Sequence, residues 1–256
     1  KTMDEIIKNK NVFIQYDPNT FKNFSSLLFN IDYISKEGLI KSEIVGRGKA
    51  YEIEFEGNRF ILKHYIRGGF ISKISYDKYF FDAIASSRAV KEYNFLNNLY
   101  SKGLPVPKPA ALQVVINKFT YTADLITCKI NNEGTLYDFV QTGKMNSNLW
   151  SNLENTLQKF YDENVYHSDL NTKNIIIDKA SKFYFLDFDN SYFFYKNKLF
   201  KKSMMRLERS LSKLGNYNNE LEKFIKNFIQ IIPLSLRTSE YSLTIFSYFK
   251  HCTFAS

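Results

Sequence analysis

Alternating apolar positions dominate the chain to about residue 130, and helical spacing dominates after it. Alternation is the period of a strand with one buried face, and a three-to-four repeat is that of an amphipathic helix. Asn11–Tyr16 is predicted as a strand and Asn19–Asn30 as a short helix turning Phe21, Phe24, Leu27 and Leu28 inward. A sheet is expected from about Glu43 to Ile130. Its first hairpin has Tyr51–Phe55 alternating, Glu56-Gly57-Asn58 turning, and a second strand through Arg59–Tyr65. One helix interrupts it, Asp82–Tyr100, with Val90, Tyr93, Leu96 and Tyr100 near one face and Gly103 and Pro105 ending it. A proline-rich turn at 105–109 leads into Gln113–Ile116 and Tyr121–Cys128.

The second half predicts a short helix Thr135–Gln141 and a longer one, Asn148–Glu163, with Leu149, Leu153, Leu157 and Phe160 as core. Asn174–Ile177 is an apolar run suited to a fully buried strand, Asp178–Ser181 a turn, and Lys182–Phe188 an aromatic-rich return strand. Helices follow at Lys201–Leu214, Asn219–Ile231 and Ser235–Lys250, with Pro233 between the last two. Strands first and helices afterwards make an α+β protein. Residues 1–130 form one lobe with an N-terminal extension and 131–256 a small, mostly helical second lobe, joined near Ile130–Gly134.

The chemistry concentrates between Val165 and Ser191. His167-x-Asp169, four residues, then Asn174 precedes the buried strand, and Asp187 closes the return strand. Phosphoryl transfer from ATP needs one carboxylate at the acceptor hydroxyl, and an Asn and a second carboxylate holding magnesium on the phosphates. Hard oxygen ligands suit that ion. Each Asp alone is equally well a cap or turn residue; the loop, hairpin and spacing together favour the kinase reading.

Such an enzyme also needs a lysine on the phosphates. Lys63 lies on the second strand of the first hairpin, and Gly46-Arg47-Gly48 precedes that hairpin. Glycines let backbone approach phosphate oxygens, although Tyr51 stands where protein kinases usually carry a third. Glu92, mid-helix, is the expected ion-pair partner of Lys63. The bland readings are a solvated strand lysine and a surface glutamate beside Lys91. Lys63, Asp169, Asn174 and Asp187 are expected to converge on a metal-bound triphosphate between the lobes.

With 256 residues, 44% of them apolar, the chain can bury a proper core. Its +9 charge favours an anionic partner. Part of that excess accompanies a general richness in Lys, Asn, Ile, Phe and Tyr. No helix-turn-helix, zinc-finger or RNA-recognition signature points to nucleic acid. Cys128 and Cys252 are far apart and read as reduced thiols, and His64, His167 and His251 are too scattered for zinc. No run approaches the roughly 20 apolar residues of a membrane span.

Assembled, these residues resemble the lipopolysaccharide core-sugar kinases, a family with a protein-kinase-like fold, and above all its branch acting on 3-deoxy-D-manno-octulosonic acid (Kdo). Further matching segments are Lys63–Gly69, Ser87-Arg88-Ala89, Gly103–Pro109, Ala123–Thr127 and His167–Asn171. The resemblance implies transfer of the ATP γ-phosphate to a Kdo hydroxyl on a lipid A precursor, peripherally at the cytoplasmic face of a Gram-negative inner membrane. It makes Asp169 the base, Asn174 and Asp187 the magnesium ligands, and Lys63 and Glu92, with Gly46 and Gly48, the nucleotide side. Asp189 supports the metal loop or faces the acceptor. Ser168 and Asn171 replace residues of phosphorylation-gated protein kinases, and no Ala-Pro-Glu follows Asp187. A small-molecule or glycolipid acceptor follows, with no obligate protein partner.

Gly69–Phe81 mixes Lys73 and Lys78 with Phe70, Ile71, Tyr79, Phe80 and Phe81, a composition suited to a membrane interface. Arg67 and Arg88 suit a carboxylate or phosphate. Alternatives are a heptose or aminoglycoside-type kinase and a non-catalytic pseudokinase.

Overall fold

The structure, a computed structural model, describes residues 4–44, 49–66, 79–80, 83–194, 198–214 and 223–224. Gly46, Gly48, Arg67, Lys73, Lys78, Asp82, His251 and Cys252, and nearly all of the helices expected after Asn219, lie outside the described residues. In chain order the strands are β1 (Glu5–Lys8), β2 (Val12–Tyr16), β3 (Ile40–Ile44), β4 (Lys49–Phe55), β5 (Asn58–His64), β6 (Tyr79–Phe80), β7 (Pro109–Asn117), β8 (Thr120–Cys128), β9 (Gly134–Thr135), β10 (Val165–Tyr166), β11 (Ile175–Ile177), β12 (Phe183–Phe185) and β13 (Tyr192–Phe193). The helices are α1 (Ile31–Lys36), α2 (Arg88–Ser101), α3 (Leu136–Gln141), α4 (Ser147–Asp162) and α5 (Lys198–Ser212).

The chain divides into two units: residues 1–131 with 184–191, and residues 132–183 with 192–256. The first is built on an antiparallel sheet of order β1-β2-β7-β8-β5-β4-β3, with β6 paired to β8. The sheet is wider than the sequence pattern indicates, because residues 5–16 add β1 and β2 beside β7.

Strand alternation sorts the β5 and β8 side chains onto opposite faces. Leu62 and Ile126 face a core completed by Ile14, Phe21, Leu28, Phe29, Ile34, Ile53 and Phe60. Their sequence neighbours Lys63 and Leu125 form the next register pair and take the other face. On α2, Val90, Tyr93 and Leu96 are buried as expected. Tyr100 is not: it is 47% exposed, and Leu99 fills the buried place. A Schellman end closes α2, with Leu104 N–H donating to Leu99 O and Gly103 N–H to Tyr100 O.

Two helix expectations need correction. Residues 19–30 hold only a 3-10 turn, Ser26–Phe29. The Lys22 and Asn23 N–H groups donate to the Glu56 carboxylate, 2.8 Å each, rather than to a helical ladder. Leu27 consequently points outward while Phe21 and Leu28 are buried. The second correction concerns the start of α2, which lies at Arg88. Ala83 is extended, and the Ser86 hydroxyl bonds to its backbone in place of helical partners.

In the second unit β9 pairs with β11, and all three isoleucines of β11 are buried. Thr135 and Asp138 form a capping box at α3, and Asn146 caps α4. The four expected α4 core residues are buried, joined by Trp150 and Thr156. On α5, Phe200, Met204, Leu207 and Leu211 are buried at helical spacing. The α+β class holds, with the antiparallel sheet and α2 in the first unit and mostly helices in the second.

Candidate active site

Tyr184–Ser191 belongs to the first unit, so Asp187 and Asp189 join Lys63, Arg88 and Glu92 there. Lys63 Nζ lies 2.9 Å from Glu92 Oε2 and 2.6 Å from Asp187 Oδ1. Tyr65, just past the end of β5, donates its hydroxyl to Glu92 Oε2 at 2.6 Å. Glu92 is therefore a buried carboxylate with two partners, not a surface residue beside Lys91. Burial pushes the Lys63 ammonium toward neutrality, but the Glu92 and Asp187 carboxylates outweigh that and raise its pKa. Burial, and then Glu92, hold the Tyr65 hydroxyl well above its ordinary range, so it stays a donor.

One turn before Glu92, Arg88 meets Asp189 in a two-pronged contact, Nε to Oδ1 at 2.9 Å and Nη2 to Oδ2. Its Nη1 donates to the Tyr79 hydroxyl, and its guanidinium lies 5.2 Å from the Tyr65 ring centre. One turn after Glu92, Phe95 packs on Phe188, ring centres 5.9 Å apart. Residues 88, 92 and 95 thus form one stripe of α2 that meets Asp187-Phe188-Asp189 directly or through Lys63. Asp187 and Asn190 have φ of 61° and 55°, the left-handed region that Asp and Asn tolerate best among residues with a Cβ. The Asp187 side chain remains 44% exposed.

The second unit gathers His167, Asp169, Asn171 and Asn174. The carbonyl of Asp169 accepts the side-chain amides of Asn171 (3.0 Å) and Asn174 (2.9 Å). Asn171 Oδ1 in turn accepts the N–H groups of Lys173 and Asn174. His167 is buried, and its Nδ1 accepts the Asp169 N–H at 3.2 Å. These bonds spend backbone groups and leave the Asp169 carboxylate 51% exposed, with Arg206 Nη1 3.9 Å away.

Helix α5 fastens this loop from behind. Ser203 Oγ accepts from His167 N–H (3.0 Å) and donates to His167 O (2.9 Å). Ser210 Oγ accepts from Thr172 N–H (3.1 Å) and bonds the Thr172 hydroxyl (2.8 Å). Seven residues separate the two serines, two helical turns, so both lie on one face.

Sequence reading did not single out Tyr65, Ser203, Arg206 or Ser210. Alternation from Lys63 marks Tyr65. Nothing local marks the serines, whose partners lie 36 and 38 residues away. Gly46, Gly48 and Arg67 fall outside the described residues.

Each unit by itself carries an oxygen donor of the kind magnesium takes. Among the described residues no three His, Cys, Asp or Glu cluster as a self-contained metal site. Magnesium at phosphates takes few protein oxygens and completes its octahedron with phosphate and water. The Asn174 amide nitrogen is committed to Asp169 O, which leaves carbonyl Oδ1 as its cation-binding atom. In the first unit, taken by itself, Asp187 presents a half-exposed carboxylate.

A sequence model described as the lipopolysaccharide kinase (Kdo/WaaP) family matches residues 33–228. The chain belongs to that family. It is a kinase, and kinase chemistry implies ATP as the donor. The chain is 30% identical over 210 residues to a 3-deoxy-D-manno-octulosonic acid kinase of Photobacterium damsela subsp. piscicida, covering 82% of this chain and 88% of that one. It is 31% identical over 229 residues to a protein of the same description from Haemophilus influenzae, covering 84% and 93%. Among solved structures, the Cydia pomonella granulovirus kinase PK-1 aligns with a TM-score of 0.43 at 18% identity, over 65% of this chain and 59% of that one.

Proposed function

We propose that this family member transfers the γ-phosphoryl group of ATP to a hydroxyl of a Kdo residue on a lipid A precursor, with magnesium, at the cytoplasmic face of a Gram-negative inner membrane. The observation that carries the reading is the state of Asp169. Its loop is locked through backbone groups, and its carboxylate is left half-exposed for an acceptor. That is the arrangement a base needs: fixed in position, open at the reacting atom.

In this reading Asp169 accepts the proton of the acceptor hydroxyl as its oxygen attacks the γ-phosphorus and ADP leaves. Lys63, oriented by Glu92 and Tyr65, exchanges its contact with Asp187 for phosphate oxygens. Asp187 and Asn174 Oδ1 would hold magnesium, which would supply charge neutralisation on those oxygens. Arg88 and Asp189 position the segment carrying Asp187. Relatives described as acting on Kdo, aligned over most of their own length, support the choice of acceptor.

Mass spectrometry of a Kdo–lipid A precursor incubated with the protein, ATP and magnesium tests this. A gain of phosphate on the Kdo portion is expected, absent with Asp169→Ala. Phosphate appearing only on heptose or an aminoglycoside overturns the acceptor, and undiminished transfer by Asp169→Ala overturns the base.

A further inference from the structure

Two hairpin turns of the sheet open on a charged residue in the left-handed region, and only one of them follows it with glycine. Glu56 and Gly57 join β4 to β5 with φ of 50° and 74°, and glycine supplies one left-handed position. The β7–β8 pairing closes at Asn117↔Thr120, so Lys118 and Phe119 are its two turn residues. Lys118 sits at φ 53°, where Gly, Asn or Asp is favoured. Phe119 is 80% exposed, more than any other large hydrophobic residue described. Turn chemistry selects neither residue, and the first unit's core does not use the ring. A local rule broken without structural return is a place to look for function.

The β1–β2 turn lies alongside. Val12 pairs with Val115, and Ile116 N–H donates to Asn11 O at 2.7 Å. That turn reads Lys8-Asn9-Lys10-Asn11, and Lys8 and Lys10 are exposed, as is Lys118. Neither 8–11 nor 117–120 contains an acidic residue. Three ammonium groups therefore belong to a pair of adjoining tips that carry one bare aromatic ring. The lysines select an anionic surface, and the ring selects an apolar layer beneath it. A bilayer with anionic headgroups offers both.

We propose that the β1–β2 and β7–β8 turns are the surface on which this protein rests against an anionic bilayer. Phe119 enters the headgroup–acyl boundary, and Lys8, Lys10 and Lys118 meet lipid phosphates. The inference rests on the lipid-borne acceptor proposed above, which requires the enzyme at the bilayer. Lys63 pairs with Leu125, six positions along β8 from Phe119. At about 3.3 Å per residue that strand holds Lys63 roughly 20 Å from the inserting tip, clear of the lipid.

Flotation with phosphatidylglycerol–phosphatidylethanolamine vesicles, against phosphatidylcholine alone, is the test. The wild type should float with the anionic vesicles only. Phe119→Ser should weaken binding at least about tenfold, and Lys8→Gln/Lys10→Gln/Lys118→Gln about a hundredfold, at roughly fivefold per lysine. Turnover on a soluble Kdo oligosaccharide should be unchanged in both. The pair Lys118→Asn/Phe119→Ser separates function from folding: it should raise Tm, because Asn tolerates the left-handed position better than Lys, and still lose vesicle binding. Wild-type flotation by Phe119→Ser, a lowered Tm for Lys118→Asn/Phe119→Ser, or retention of the wild type on DNA but not on vesicles overturns the proposal. If Phe119-dependent flotation holds while Kdo is not phosphorylated, the acceptor reading fails and the surface stands.

Discussion

Arg88 and Glu92 stand one turn apart on α2, and each governs one end of the same three-residue segment. Arg88 holds Asp189 directly, and Glu92 holds Asp187 through Lys63. Between them Phe95 packs on Phe188. A shift of α2 along its axis would disturb all of these contacts, so the helix sets where the Asp187 carboxylate points.

Removing Arg88 should therefore impair metal use more than nucleotide contact. Arg88→Ala is expected to lower kcat/KM about 10–100-fold, as loss of an outer support of a metal ligand does, with partial recovery at raised magnesium. Unfolding should become easier by about 2 kcal/mol, because Asp189 is left largely buried without its cation. Arg88→Lys should not restore activity, since a point charge cannot reproduce the two-pronged contact. Steady-state kinetics across a magnesium series checks this.

Asp169→Asn should separate chemistry from binding. The loss of a base is expected to lower kcat about 10²–10⁴-fold with ATP affinity nearly unchanged by calorimetry. Stability should hold, because the carboxylate is half-exposed and its Arg206 contact is long, at 3.9 Å.

Ser203→Ala removes the hydroxyl that bonds both backbone groups of buried His167. A cost of about 1–3 kcal/mol is expected from the loss of these two buried bonds, read by urea unfolding. Activity should fall through kcat, because the loop carrying Asp169 loosens. The effect should exceed that of Ser210→Ala, whose partners are the Thr172 N–H and hydroxyl.

Asp17 ties the N-terminal extension to the sheet and gives a pH signature. Burial pulls its carboxyl up, but Lys108 Nζ at 2.6 Å, the Asn19 N–H and the Thr20 hydroxyl outweigh that and bring its pKa from 3.8 to about 2. A depressed carboxylate contributes stability above its unfolded value that is lost as pH falls through the folded one. Asp17→Asn should be about 2 kcal/mol less stable than wild type at pH 7. The gap should close between about pH 4 and pH 2 as Asp17 protonates. Denaturant melts at a series of pH values measure it.

The local code was enough for most elements and for the chemistry-bearing residues. Alternation gave β4, β5 and β8, helical spacing gave α4 and most of α5, and the run from His167 to Asp187 named the residues proposed for catalysis. These signals are short-range, so one sequence carries them. Where long-range partners intervened, the local reading failed. Residues 19–30 look helical until Glu56, more than thirty positions away, takes their N–H groups. Glu92 is the expected partner of Lys63, and the pair forms, but nothing in the sequence ties its second partner, the Tyr65 hydroxyl, to it. The two serines on α5 have no local mark because their partners are backbone groups of a distant loop. The amino-acid order determined which groups exist and which faces they share along each element. Tertiary structure decided which groups lose their water and must pair, because burial and pairing depend on segments that meet only once the chain has folded.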